Sequence, residues 1–356
     1  MENPRIKAVD LFCGAGGLTH GLASAGVDVR VGVDLDPDCR FPYEANNAAA
    51  FMCADVRTLS GEHFSRFLQD AELTLLAGCA PCQPFSSYSQ ARDPKASSDW
   101  GMLLEFGRLV SEVKPDFVTM ENVPQLADND VFKDFVAKLA GYHTWCGVVD
   151  CAEYGVPQRR RRLVLLASRL GKISLLSPQE VGARRRTVRS AIANMPPLAA
   201  GTWDPSDPIH AAAGMSELNL KRIRASLAGG SWRDWPKSLR ARCHHRSTGA
   251  SYGAVYGRME WGRPAPTMTT LCHGFGNGRF GHPEQDRAIS LREAAILQSF
   301  PKRYKFVPEG ERVRFTSVGR LIGNAVPPRL GQIIGRSFFS HVSVNPKARP
   351  TNTRYR

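Results

Sequence analysis

Two side chains, a thiol and a carboxylate, stand where covalent chemistry on a small ring could be done. Cys82 lies between Pro81 and Pro84 in Ala77-Gly-Cys-Ala-Pro-Cys-Gln-Pro-Phe-Ser86, directly after the apolar run Leu73–Gly78. A thiol presented so stiffly at the end of a strand is a candidate nucleophile, and its reactive form is the thiolate. Glu121, in Glu121-Asn122-Val123, follows the next apolar run, Asp116–Met120. If both runs are neighbouring parallel strands, the thiol and the carboxylate emerge at one sheet edge, where such sheets bind ligands. Read singly, each group has a plainer use. Cys79-x-x-Cys82 is also the spacing of half a zinc site or of a redox dithiol, and a lone Glu at a strand end can be a cap or an ion-pair partner. No second cysteine pair completes a zinc site, and Cys243-His244-His245 has the wrong spacing for a finger. The segment Gln158-Arg-Arg-Arg-Arg162 precedes a third apolar strand. On extended backbone Gln158, Arg160 and Arg162 face one way and Arg159 and Arg161 the other. By itself the run also reads as a nonspecific phosphate patch.

A second constellation could hold a cofactor. Asp10-Leu-Phe-Cys-Gly-Ala-Gly-Gly17 occupies the turn from a first strand, Ile6–Phe12, into a first helix at about 16–25. Glycines there let backbone approach a ligand closely, and the helix start offers free N–H groups. Asp34, twenty residues past Gly14, ends a second strand where an acid can hold ribose hydroxyls, and Asp55 follows a third where it can meet an adenine amino group. A nicotinamide enzyme would use the same logic, but Thr19 stands at the third glycine position of its fingerprint. An ordinary tight turn is the other reading.

These segments need a frame, and the alternation of short apolar runs with helical patterns up to about residue 169 supplies one. It implies a Rossmann-like, doubly wound α/β sheet. Asp36 can cap, and Pro37 begin, the helix after the second strand. Leu103, Phe106, Val110 and Val113 recur at helical spacing, Val131–Ala140 reads as a helix closed by Gly141, and Leu163–Ala167 as a strand. From about 169 to 260 the text turns basic and loop-rich, with Arg184-Arg185-Arg186 and Gly229-Gly-Ser-Trp-Arg-Asp-Trp235. Regular structure returns at about 290–300 and 318–342, broken by Pro327-Pro328. The expected domains are a catalytic, cofactor-binding domain over 1–188, a smaller recognition domain over 189–285, a segment 286–342 returning to the first, and a frayed tail over 343–356.

The 356 residues carry a formal charge of +14 and a pI near 9.6, which favours a polyanionic partner. Nine scattered cysteines suit reduced thiols, and no run approaches a membrane span. A cytoplasmic, nucleoid-associated protein without a membrane or metal partner is expected.

Together the motifs resemble those of the DNA cytosine-5 methyltransferases, in order and spacing. The resemblance rests on Phe12-x-Gly14-x-Gly16-Gly17, Pro81-Cys82-Gln83, Glu121-Asn122-Val123 and Gln158-x-Arg160-x-Arg162, continuing through Arg263-Pro-Ala-Pro-Thr-Met-Thr269 and Gly323-Asn-Ala-Val-Pro-Pro328. It spans about 5–340 except the middle. Asp34 stands where many members carry Glu, and Ala325 where many carry Ser. The resemblance implies a class I S-adenosylmethionine-dependent fold with a mixed sheet and a separate target-recognition domain. It implies methyl transfer from S-adenosylmethionine to cytosine C5 in a specific word of double-stranded DNA, by base flipping and a covalent bond from Cys82 to C6, in a bacterial restriction–modification or epigenetic setting, by a monomer. Cys82, Glu121, Arg160 and Arg162 would be catalytic. Phe12, Gly14, Gly16, Gly17, Leu18, Asp34, Asp55, Pro81, Asn324 and Val326 would hold the cofactor. Gln83, Ser86, Arg233, Arg240, Arg242, His244, Arg246 and Arg258 are the candidates for touching DNA. A tRNA methyltransferase of the same fold and a catalytically inactive DNA-binding homologue are the alternatives.

Overall fold

A computed structural model describes residues 4–81, 101–246 and 253–344. The chain divides into two compact units, one of residues 1–154, 161–183 and 326–356, the other of 155–160 and 184–325.

The first unit is built on the strands β1 (Ile6–Leu11), β2 (Asp28–Asp34), β3 (Ala50–Cys53), β4 (Leu73–Gly78), β5 (Phe117–Asn122), β6 (His143–Asp150) and β7 (Arg161–Ser168). They form a seven-stranded sheet in the order β3-β2-β1-β4-β5-β7-β6. The first five are parallel, and β7 runs antiparallel to both β5 and β6. The apolar runs of β1, β4 and β5 are continuous because both faces of these strands are covered. β6 was not foreseen: most of its residues are exposed or half-exposed, which suits an edge strand and leaves only a weak pattern. Phe106 of α4 (Met102–Val113) and Phe135 of α5 (Asp130–Ala137) pack together on the core that also holds Val9, Leu76 and Val118. Asp36 caps a 3-10 turn begun by Pro37, as its sequence implies.

The first helix, α1 (Gly17–Ser24), is packed by the last, α10 (Pro328–Val344). Contact is backbone to backbone: a Cβ on Gly21 would sit 2.2 Å from the Pro328 carbonyl oxygen, and one on Gly331 would sit 2.9 Å from that of Leu18. The short glycine-bearing turn of the sequence is therefore braced by the C-terminal helix.

The second unit holds the hairpin β8 (Trp203–Asp204) and β9 (Asp207–Ala211) with α6 (Val188–Ile192), α7 (Glu217–Arg224), α8 (Leu291–Leu297) and α9 (Phe315–Asn324). One of its cores gathers Ile223, Trp232, Trp235, Phe275 and Ala288. It also holds a fully buried bidentate pair, Arg287 with Glu293, both contacts 2.7 Å. The expected return segment 286–342 is thus divided: α8 and α9 belong to the second unit, and the chain rejoins the first at Val326. The expected tail over 343–356 lies outside the described residues from 345 onward.

Candidate active site

Three parallel strands bring the site together in the first unit. Leu11, Gly78 and Met120 stand in register across β1, β4 and β5, so the residues that follow leave from one edge. β5 runs two residues further than its apolar run suggested, which puts Glu121 and Asn122 inside the strand, both buried. The chain leaving β4 is pinned beside them. Cys79 donates its N–H to the Leu11 carbonyl, and Asn122 Nδ2 donates to the Ala80 carbonyl at 3.0 Å. Pro81 comes next. Cys82, Gln83 and Ser86 lie outside the described residues.

Glu121 is braced from two sides. Cys79 Sγ donates to Oε2 at 3.0 Å, and Arg162 Nε lies 2.9 Å from Oε1. The antiparallel pairing explains the second contact: Glu121 is opposite Val164, so Arg162, two residues earlier in β7, is its diagonal neighbour on the same face. The side chains of Glu121 and Arg162 are only 3% and 12% exposed. Although close to the guanidinium, Oε1 accepts no hydrogen bond among the described residues. A buried carboxylate oxygen without a hydrogen-bond donor is costly. A ligand bearing polar N–H groups would relieve it.

The glycine turn lies at the neighbouring strand end. Phe12 and Gly14 take left-handed backbone angles, φ 57° and 53°, and Gly16 has φ 86°. A non-glycine residue there stores strain of the kind that gathers at ligand sites. Among the described residues a Cβ on Gly14 would meet nothing within 4 Å, which leaves room beside the turn. Asp34 Oδ2 accepts the Gly14 N–H at 2.8 Å and Oδ1 that of Asp36 at 3.0 Å, tying the turn to the end of β2. Asp55 caps a 3-10 turn and grips Arg57 through both oxygens, which holds its carboxyl below the usual range. Beneath the turn, Thr19 donates to Asp10 at 2.6 Å, and burial pushes the Asp10 carboxyl up to about 7. Open space beside a left-handed glycine turn, with acids at the ends of β2 and β3, fits a nucleoside-bearing donor.

The basic run does not act as one cluster. Its alternation is real: Gln158 and Arg160 are buried and Arg159 and Arg161 exposed. Yet Arg160 belongs to the second unit, where its guanidinium donates to the carbonyls of Met268, Gly323 and Ala325. These donors tie backbone segments of that unit together. Gln158 joins the same framework through Gln298, the Leu297 carbonyl and the Met268 N–H. Asn324 ends α9 in this unit, and Val326 lies just past it in the first.

Two of the proposed DNA contacts are also turned inward. Arg258, 5% exposed, donates to the carbonyls of Ile223, His282 and Gln285 and to Asp286, so it organises the domain. His244 is buried and stacked on Trp232 at 4.0 Å between ring centres, with its pKa lowered chiefly by burial. Arg233 and Arg240 lie over Trp232 at 5.6 and 5.8 Å, and Arg233, Arg242 and Arg246 are exposed. Sequence reasoning missed Cys79, Asn122 and Gln298. Cys79, three residues before Cys82, and Asn122, inside Glu121-Asn122-Val123, left a signal, and Gln298 left none.

Among the described residues no three His, Cys, Asp or Glu side chains are grouped to hold a metal, and no helix is long and apolar enough to cross a membrane. The sequence profile of the C-5 cytosine-specific DNA methylases matches residues 6–340. The type II methylase M.HgiDII of Herpetosiphon aurantiacus is 47% identical over 335 residues, covering 92% of this chain and 94% of that protein. The type II methyltransferase M1.HphI of Haemophilus parahaemolyticus is 30% identical, covering 93% and 86%. Among solved structures, a putative DNA modification methyltransferase encoded within an E. coli prophage superposes with a TM-score of 0.73 at 22% identity, covering 95% of this chain and 99% of that one. The S. pombe Dnmt2 methyltransferase gives 0.58 at 18% identity, with 96% and 99% covered. The likenesses to solved structures establish the fold as a Rossmann-like mixed sheet, and with the profile match it is consistent with the class I S-adenosylmethionine-dependent methyltransferases. The profile match and the relatives establish the rest: the chain belongs to the C-5 cytosine-specific DNA methylases and is a DNA (cytosine-5)-methyltransferase.

Proposed function

We propose that the protein methylates a cytosine within a specific word of duplex DNA, as a monomer, in a type II restriction–modification setting, through a covalent bond from Cys82 to C6. The observation that carries this reading is the buried Glu121 carboxylate, braced by Cys79 and Arg162 with Oε1 left without a hydrogen bond among the described residues, one strand from the chain that leads into Cys82.

Cytosine C5 is a weak nucleophile, and the ring is hidden in the stack, so the base has to be extruded at a cost of a few kcal/mol. Addition of the Cys82 thiolate to C6 converts the ring into an enamine that is electron-rich at C5. Glu121 shares a proton with N3, which the ring takes up as the thiolate adds and gives back as it leaves, and accepts from the 4-amino group, while Arg162 keeps its carboxyl in place. The bound donor, S-adenosylmethionine, supplies a methyl group activated by a sulfonium. The open turn at Gly14, with Phe12, Gly16, Gly17, Leu18, Asp34, Asp55 and Pro81, would hold it, together with Val326. Loss of the C5 proton to a base and cleavage of the C6–S bond then restore the aromatic ring and free the thiolate. Exposed Arg233, Arg242 and Arg246 would supply phosphate or base-edge contacts from the second unit.

A duplex carrying 5-fluorocytosine tests the covalent route, since fluorine cannot leave as a proton does. Wild-type protein is expected to form a denaturation-resistant complex linked through Cys82, and Cys82→Ala to form none while still binding the donor. An active preparation that never cross-links, or an alanine variant that still methylates, contradicts the reading. Transfer to tRNA in preference to duplex DNA would move the substrate assignment.

A further inference from the structure

The second unit contains a cavity of about 440 Å³ that none of the assigned residues lines, between α6 with the chain before it and the end of α8 with the chain after it. Arg186, Arg189 and Lys302 line it, with Ser190, Asn194 and Ser299 supplying neutral polar groups. Its lining includes no Asp or Glu, and the three cations form no ion pair among the described residues. Among the described residues Arg186 donates to the Ser190 carbonyl, at 3.5 Å, and Arg189 lies over the Trp261 ring, at 5.3 Å. Three like charges lining one hollow repel each other, and an anion seated there offsets that cost. The Trp261 stack fixes Arg189 in advance, so less freedom is lost on binding. The backbone adds a second sign. Ser299 has φ 70°, a left-handed angle at a helix end where glycine is the usual occupant, and such strain collects at ligand sites. The volume falls in the range of ligand-binding clefts, about 300–1,000 Å³. It has room for more than a bare ion.

We propose that this cavity binds a backbone phosphate of the DNA duplex, away from the target base, as a sequence-independent anchor. The assignment rests on duplex DNA being the substrate, which binding of the wild-type protein to duplex checks separately. Each phosphate neutralised on duplex DNA contributes about 0.9 to the slope of log affinity against log salt. Arg186→Ala with Lys302→Ala is therefore expected to flatten that slope by about 1, and to weaken binding of matched and unmatched duplexes to the same degree, about 10-fold at low salt. Turnover at saturating DNA and the preference between sequences should stay at wild-type values, with the loss in KM. Lys302 is exposed, so Lys302→Ala alone keeps the test open if the double variant folds poorly. Arg186→Lys should retain most of the effect of the charge. An unchanged slope and affinity in the variants would overturn the proposal. So would variants that lose competition by inorganic phosphate or a nucleoside triphosphate while duplex binding is intact, because the site would then serve a small phosphate ligand.

Discussion

Replacing Glu121 with Gln keeps the volume of the side chain and an oxygen for Cys79, but removes the charge. Breaking a buried ion pair by deleting one partner costs about 3–5 kcal/mol. Here the loss should be smaller, because Arg162 retains 12% exposure and a hydrogen bond to the Arg161 carbonyl. About 2 kcal/mol is the expected fall in stability, read as a drop of roughly 2–4 °C per kcal/mol in thermal unfolding. The effect on chemistry should be larger. A neutral amide cannot share a proton with N3 of the ring, and losing one such preorganised group costs about 10²–10³ in rate. Single-turnover transfer of a labelled methyl group to saturating duplex measures this free of binding effects. Arg162→Met alone and combined with Glu121→Gln closes a cycle, expected to be non-additive by about 0.5–3 kcal/mol since the two side chains touch. Glu121→Gln working within threefold of wild type, or strict additivity in the cycle, would refute the assignment of these residues to one catalytic unit.

Three further outcomes follow from other contacts. Cys79→Ala removes the donor to Glu121 Oε2 and should slow methyl transfer about fivefold, the equivalent of about 1 kcal/mol, whereas Cys79→Ser restores most of it; equal rates for both would show that the contact does not matter. Gly21→Ala forces a Cβ against the Pro328 carbonyl and should lower stability by about 1–3 kcal/mol and weaken donor binding at the adjoining turn, read by thermal unfolding and a binding titration. His282 Nδ1 accepts the backbone N–H groups of Glu284 and Gln285, and burial pushes its pKa from 6.5 down to about 4. The unfolded chain takes up a proton near pH 6.5 while the folded one resists it down to about 4. The stability this gives is complete above pH 6.5 and fades as the pH falls toward 4. Unfolding midpoints should drop across that window, and His282→Asn should flatten the drop.

What the sequence discloses here follows what periodicity and spacing can encode. The runs Leu73–Gly78 and Ile6–Leu11 are legible because central strands, buried on both faces, must be apolar. β6 escaped because an edge strand such as His143–Asp150 need bury little. Strand direction leaves no mark in a short run, and the reversal of β7 is what brings Arg162 to Glu121. The partners of buried arginines are hidden for a related reason: Arg160 and Arg258 donate to backbone carbonyls, and only the folded chain reveals which carbonyls are left to satisfy. The split of the C-terminal segment at Val326 was hidden likewise, since α8, α9 and α10 share one helical periodicity and differ only in what they pack against.

The most direct test is to follow the methyl group. Purified protein incubated with duplex DNA and S-adenosylmethionine tritiated in its methyl group, followed by digestion to nucleosides, should place the label in 5-methyldeoxycytidine at one recurring sequence. Label on an exocyclic nitrogen, label only in RNA, or none from a folded preparation that binds the donor would contradict the account.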